Sequence, residues 1–390
     1  MPHFAGNIDV TEDASFNPAG FCDELDQLPE EIERPSFPDL SLSLDEEANY
    51  NDREVQNSIY HAKESIRQFK TEIPLCLVML GPVGQNTGVA FLETALLLMY
   101  LDSAQSAIGL YRIHLQGIRS IIDSSGGESL LIPYNSRLRA QLAMFIWYDA
   151  TIALLSRENP VLPLSYLEGV LRHGHFDGWN YEYLIGCREE FVVILVRLAR
   201  LAKQYETSRQ MENLYFDMTA VDEVEETLRQ IPTEYPYLDT DADEETLDLA
   251  RDRYHCGEAW RNGLLLYIQR IFRWTRGDPV PLSAKYIARI VIEHARCIRR
   301  ENNYQKQVLI AVFLAGAEMT REDDRDFVRG YTAWWSRLCG SKMFDDACSF
   351  LEEIWTESEG QGGQEVWWGS VIDRRCLQSG LPQLPQVLLG

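Results

Sequence analysis

Between Tyr181 and Gln204 the chain carries the run FVVILVRLARLA, apolar on nearly every side for two helical turns. A helix of this kind has to be enclosed by other elements, so the segment predicts a central helix around which the fold is built. The neighbouring sequence keeps the same period. Val55, Ile59, Ala62, Ile66 and Phe69 make one apolar stripe after Asn51 as N-cap, with Pro74 beyond its end. Ile108, Tyr111, Leu115, Ile118 and Ile122 predict a helix over Ser103 to Asp123, stopped by Gly126 and Gly127. Leu138, Leu142, Phe145, Ile146, Asp149 and Ile152 predict another over Asn135 to Ser156. Glu223 to Arg229 precedes an acidic, proline-containing stretch, TEYPYLDTDADEE, expected as an exposed loop, and further helices are expected over Glu244 to Trp274, Ser283 to Arg300, Gln305 to Glu318, Arg321 to Leu338 and Met343 to Glu357. Thr320 and Asp323 are placed to act as a capping box for the helix starting at Arg321. Alternating β-branched runs are almost absent. The chain therefore predicts an all-α fold, an irregular array of packed helix hairpins, and its uneven loop lengths exclude a fixed-period solenoid.

Charge divides the chain further. Lys and Arg number 36 against 60 Asp and Glu, a net charge of −24. Fifteen of the acids and only two arginines lie in the first 60 residues, so −13 of that charge sits there. Pro18, Pro29, Pro35 and Pro38 interrupt this stretch, and it lacks the apolar periodicity that would offset ordering entropy. Three regions are expected: a disordered acidic tail over 1–49, an all-helical domain over 50–357 and a C-terminal extension over 358–390. In the tail, Phe37, Leu40, Leu42 and Leu44 alternate with Asp39, Asp45, Glu46 and Glu47. Acids of this kind keep apolar groups solvated until a partner groove takes them, which makes these four residues the candidate partner-binding set; an inert leader is the plainer account.

The same charge opposes direct binding to DNA or to an anionic membrane, because no segregated basic patch accompanies it. Met1 to Ser15 lack a basic and an apolar region of the secretory type, and the apolar stretch Val89 to Leu101 is short and contains Glu93. A soluble intracellular protein is expected. Eight scattered cysteines, none in a C-x2-C pair, fit reduced thiols in a core rather than disulfides or a cysteine-only zinc site.

Each candidate for chemistry has a structural counterpart. Gly81, Gly84 and Gly88 suggest a phosphate cradle before a helix at Val89, but the spacing fits neither glycine-rich fingerprint and the P-loop Lys is missing, so a turn between helices is expected. His173, His175 and Asp177 are within reach of one metal ion or belong to a polar loop after the Tyr166 helix. His294 and Cys297, three apart on a helix, can share a metal with His255 or Cys256, or simply face the core. The cluster Glu322, Asp323, Asp324 and Asp326 compares with the magnesium-binding carboxylates of all-α terpene synthases, but Phe327 occupies the position where the next acid is required. First-turn acids favouring the helix dipole are the simpler account. The pairs Trp334-Trp335 and Trp367-Trp368 line a ligand pocket or, on the simpler account, anchor helix packing.

From Phe91 to Trp355 the chain resembles the fungal-specific transcription factor domain, the helical regulatory region found downstream of a six-cysteine binuclear zinc cluster. The resemblance rests on AFLETALLLMYLD, HLQGIRSIIDSSGG, LAMFIWYDATIALLSRENPVLP, LIGCREE and WRNGLLLYIQRIFRW, in that order. VLIAVFLAGAEMTREDDRDFV and FDDACSFLEEIW close it and are its most specific part. It implies a nuclear transcription regulator, with this region modulating activity and DNA bound through the zinc cluster, often by a dimer. That cluster needs C-x2-C-x6-C followed by a second such set, and only Cys22 and Cys76 precede the matched part. No zinc-binding or DNA-contacting position carries over; the expectation is a chain beginning after the DNA-binding module, or a family member without one. The expected role is regulation through protein contacts and an effector pocket, with no catalytic residues and no cofactor or metal in this chain. Expected partners are the transcription machinery or regulatory proteins and a second copy of the chain, with DNA met only through a module not present here and no membrane. The alternatives are a stand-alone helical interaction module and an all-α metal-dependent enzyme.

Overall fold

Helical periodicity in the sequence becomes a succession of helices joined by short turns. The computed structural model describes residues 85–124, 136–174, 180–211, 214–232, 243–360, 366–381 and 383–390, all within the unit Gln68–Gly390. The elements are α1 (Gln85–Gln105), β1 (Ile108–Gly109), α2 (Tyr111–Ser124), α3 (Ser136–Ser156), α4 (Leu164–Gly174), α5 (Tyr181–Ile185), α6 (Glu189–Gln210) and α7 (Thr219–Gln230). Then come α8 (Glu244–Ile268), continued by a π-helical turn over Gln269–Arg273, α9 (Leu282–Cys297), α10 (Asn303–Gln307) and α11 (Leu309–Gly316). The chain finishes with α12 (Glu322–Cys339), α13 (Lys342–Gly360), α14 (Trp368–Gln378) and β2 (Gln386–Val387). The fold is all-α.

The apolar run of α6 buries Phe191, Ile194, Leu195 and Leu198 and packs along α3, as the central position expected from the sequence requires. Helix α3 is long and apolar enough to cross a bilayer by composition, and 83% of that window is buried among the other helices, which is how a core helix behaves. The second half of the fold is organised by α8, which packs along α9 and α11. Every residue of α11 is buried. Close approach makes this possible: a Cβ at Gly263 would lie 2.9 Å from the Ala311 Cβ, so α8 meets α11 at a position without a side chain.

Several boundaries differ from expectation, each for a local reason. The helix expected over Ser103 to Asp123 is two elements. Between them Ala107 N donates to Asp346 (2.7 Å) and Ile108 pairs with Val387, so the chain spends these residues on the antiparallel β1–β2 ladder. The helix expected from Tyr181 breaks at Gly186, where φ is +64° and an added Cβ would stand 2.7 Å from the Gln307 side chain. The helix expected over Gln305 to Glu318 is divided at Val308 into α10 and α11. Arg321, not Thr320, is the N-cap of α12, and it makes no side-chain cap; the expected capping box is not formed. His173 lies in the last turn of α4 rather than in a loop. Helix α1 starts at Gln85, so Gly88 is inside a helix and not before one. The tail over 1–49, the helix expected at Asn51 and the Gly81–Gly84 segment lie outside the described residues. Trp368, Val371, Val387, Leu388 and Leu389, in the segment expected as an extension after 357, belong to the same core as α3 and α8.

Polar residues on apolar stripes are explained by what they hold. Asp149 is buried on α3 because its carboxylate accepts from Val161 N (2.9 Å) and Leu162 N (2.6 Å), fixing the turn that leads into α4. Asp252, fully buried on α8, likewise accepts from Arg299 N (2.9 Å), Arg299 Nε (2.6 Å) and Asn302 Nδ2 (2.8 Å) and ties down the turn before α10. Backbone N–H groups in a turn need such acceptors once water is excluded.

Candidate effector groove

On α14, residues Ser370, Asp373, Arg374, Leu377 and Gln378 recur at the spacing of one helical face. Opposite them stands the turn that follows the π-helical segment, with Trp274, Arg276 and Gly277. Together with Trp367, these residues line a groove of about 660 Å³, within the size range of small-molecule sites. Its floor is aromatic. Trp274 and Trp367 are largely buried, and Trp274 Nε1 donates to Asp278 O (2.8 Å), which closes the 274–278 turn.

Arginines surround this floor. The Arg276 guanidinium lies 3.6 Å from the centroid of the Trp367 ring and bonds Glu206. Arg157 approaches the same ring at 5.0 Å, donates to Leu155 O (2.7 Å) and bonds the Asp373 carboxylate. Arg374 donates to Glu353 (2.6 Å) and bonds Glu357. Burial lowers the Arg276 pKa from its ordinary value; Glu206 opposes the shift, while Arg209 and Arg157 add to it. Arg157 also adopts a φ of +54°, and Glu158 N reaches back to Ala153 O (3.0 Å) to close α3. Glycine usually takes this position. A side chain held in the left-handed region costs free energy, of order 1–3 kcal/mol, and persists only where its surroundings require it. Here the backbone turn delivers a buried guanidinium to Trp367 and Asp373, two residues that line the groove.

The pairs singled out in the sequence separate. Trp335 and Trp368 are buried packing anchors, and Trp335 Nε1 donates to Gln305 Oε1 (3.1 Å). Trp334 lies beneath Arg300, whose guanidinium stands 4.6 Å from its ring centroid. Trp367 both packs and lines the groove. Trp274 and Arg157 fall within segments that carry the family resemblance, but none of Trp274, Arg276, Arg157 and Arg374 carried a motif of chemistry. Arg276 and Arg374 leave only a trace in the sequence, an arginine two residues after Trp274 and another seven after Trp367.

His255 and His294, from α8 and α9, do come together, with their Nδ1 atoms 2.8 Å apart. One ring must donate and the other accept. Cys256 points elsewhere, its Sγ–H donating to Gly186 O (3.2 Å), and Cys297 is exposed. Among the described residues no three His, Cys, Asp or Glu side chains are grouped as a metal site needs. Both histidine pKa values are lowered, first by burial. For His255 the His294 and Arg251 charges add to this against Asp252 and Glu258; for His294, Glu258 and Glu293 oppose it. An imidazolium is thus disfavoured in the folded state, and the unfolded chain takes up the proton first, near pH 6.5. Stability is full above that value and falls as pH drops below it. In urea unfolding, the midpoint of wild type is expected to fall between pH 7.5 and 5.5 by more than that of His255→Gln/His294→Gln; equal falls would show that the pair does not titrate in this way.

The acids of α12 form ion pairs. Asp324 accepts from Arg296 (2.8 Å), and Arg329 donates to Glu322 (2.5 Å) and Asp326 (2.8 Å). Glu322, Asp323 and Asp324 occupy the first turn, where negative charge favours the helix dipole. Phe37, Leu40, Leu42, Leu44, His175, Asp177, Cys22 and Cys76 lie outside the described residues. Among curated proteins and among solved structures, nothing matches the chain. The fungal specific transcription factor domain matches residues 40–379, a span that takes in every helix from α1 to α14, and the chain belongs to that family.

Proposed function

We propose that this chain is a nuclear transcription-regulatory module that acts through protein contacts and through an effector bound in the groove between the 274–277 turn and α14, without reading DNA itself. The observation that carries the reading is the family match over residues 40–379. A net charge of −24 supports the absence of direct DNA readout, since DNA affinity draws on cations that displace counterions. The role is non-enzymatic and requires no cofactor. In this reading Phe37, Leu40, Leu42 and Leu44 engage the transcription machinery or a regulatory protein.

A reporter assay tests the proposal. With the chain fused to a neutral DNA-binding domain, replacing Phe37, Leu40, Leu42 and Leu44 by Ala is expected to lower output several-fold; unchanged output rejects the tail's role. Tight, salt-sensitive and sequence-specific DNA binding by the chain alone would contradict the lack of direct readout. The second reading, a stand-alone interaction module, is favoured by Leu282 and Tyr286. They stand four residues apart on α9 and are 83% and 67% exposed. If this reading holds, Leu282→Ser/Tyr286→Ser abolishes partner capture while reporter output is unchanged.

A further inference from the structure

We infer that the groove takes a small organic carboxylate with an apolar body, its charge meeting Arg276 and Arg374 and its body lying against Leu377 and the indoles of Trp274 and Trp367. The inference rests on the effector reading of the same groove and names the class of ligand. Three observations lead to it.

The first is the lining. Trp274, Trp367 and Leu377 supply apolar wall, and Ser370 and Gln378 supply neutral polar groups. Sites for small organic molecules have this makeup, mostly apolar with a few placed polar groups. The second is where donors remain. A guanidinium has five N–H groups in a planar fork. Arg276 meets Glu206 through Nη2, and Arg374 meets Glu353 and Glu357 through Nε and Nη2. The Nη1 groups stand outside those pairs, and both residues line the groove. The third is the strained, buried Arg157, whose side chain is 7% exposed and which lies against the Trp367 ring and pairs with Asp373, offsetting the charge of the one acid that lines the groove.

The charge balance selects the ligand's charge. Glu206, Asp373, Glu353 and Glu357 already face these arginines. A dianion such as phosphate meets repulsion from those acids, whereas a single carboxylate adds one negative charge, which the Nη1 groups of Arg276 and Arg374 can meet. Charge-assisted bonds of the Arg–carboxylate type are about twice as strong as neutral ones, so loss of one is expected to be visible in affinity.

Calorimetric titration of the full chain with naphthoate, its uncharged counterpart naphthalenemethanol, acetate and inorganic phosphate tests the inference. Naphthoate is expected to saturate one site, and each of the other three to bind at least about tenfold more weakly. Arg374→Met is expected to weaken naphthoate about tenfold. Leu377→Asp, which places a carboxylate at the apolar wall, is expected to do the same. Leu377 is 73% exposed, so the melting temperature of that variant should stay at the wild-type value and its loss of binding cannot be assigned to unfolding. The inference is overturned if naphthoate shows no saturable binding, if naphthalenemethanol or phosphate binds as well, or if Leu377→Asp leaves naphthoate affinity intact. Saturable binding of naphthoate with the stated selectivity supports the ligand class even when reporter output ignores the ligand; that combination removes the effector reading alone.

Discussion

Glu318→Ala is expected to destabilise the fold by about 3–5 kcal/mol, the cost of breaking a buried ion pair by removing one partner. Glu318 Oε1 stands 2.7 Å from Arg270 Nε, and the two side chains are 3% and 1% exposed. Arg270 belongs to the π-helical turn at the end of α8, and its guanidinium lies 3.9 Å from the Trp274 ring centroid. Loss of the carboxylate leaves a cation that cannot reach water. The neighbouring chain must then open to hydrate it, and the segment that opens carries Trp274 into the groove turn. Urea unfolding followed by circular dichroism should show a lower midpoint with an unchanged slope, and naphthoate affinity should fall with it. Arg270→Met/Glu318→Leu is expected to recover most of the stability, because replacing a whole buried pair by apolar side chains removes its desolvation cost as well as its attraction. A single-variant loss under about 0.5 kcal/mol, the range of ordinary surface changes, would mean that the pair does not hold this junction.

The Arg270–Glu318 pair also marks the limit of what can be seen in the sequence. Period alone places α3, α8, α9, α12 and α13 within a few residues, because an apolar stripe at helical spacing has one economical use; the apolar run of α6 is central as expected, but its helix runs over Glu189–Gln210 rather than Tyr181 to Gln204. Elements set by distant partners are invisible to it. Ile108 continues a helical stripe, yet it pairs with Val387 from the far end of the chain. Gly186 sits inside an apolar pattern, and its break is dictated by the Gln307 side chain against it. The groove is of the same kind. Its two walls, 274–277 and 367–378, are separated by α9 to α13, and its buried Arg157 comes from the end of α3. His255 and His294 were legible as candidates for a shared site, but what joins them is an imidazole contact, with Cys256 turned away to Gly186. Motifs of chemistry are contiguous or evenly spaced in sequence, whereas this groove is assembled from single residues whose neighbours are all structural.

Asp149 shows how an acid on an apolar stripe can be turned into a measurement. Asp149→Ala is expected to cost about 2–4 kcal/mol, since two buried backbone N–H groups, of Val161 and Leu162, lose their acceptor. The carboxyl pKa is raised to about 6, chiefly by burial, which outweighs the two N–H bonds and the attraction of Arg112 and Arg200 that favour the anion. In the unfolded chain the same group titrates near 3.9. Between those values the folded state keeps the proton that the unfolded state gives up, so the contribution to stability is complete below pH 4 and is lost as pH rises through about 6. Asp149→Asn removes this titration while keeping one acceptor. The stability gap between wild type and Asp149→Asn is therefore expected to narrow from pH 5 to pH 7. The histidine pair and the overall charge are common to both proteins and cancel in that difference. A gap that is constant or widens over this range would mean that Asp149 is already ionised at pH 5, with its two backbone donors dominating over burial.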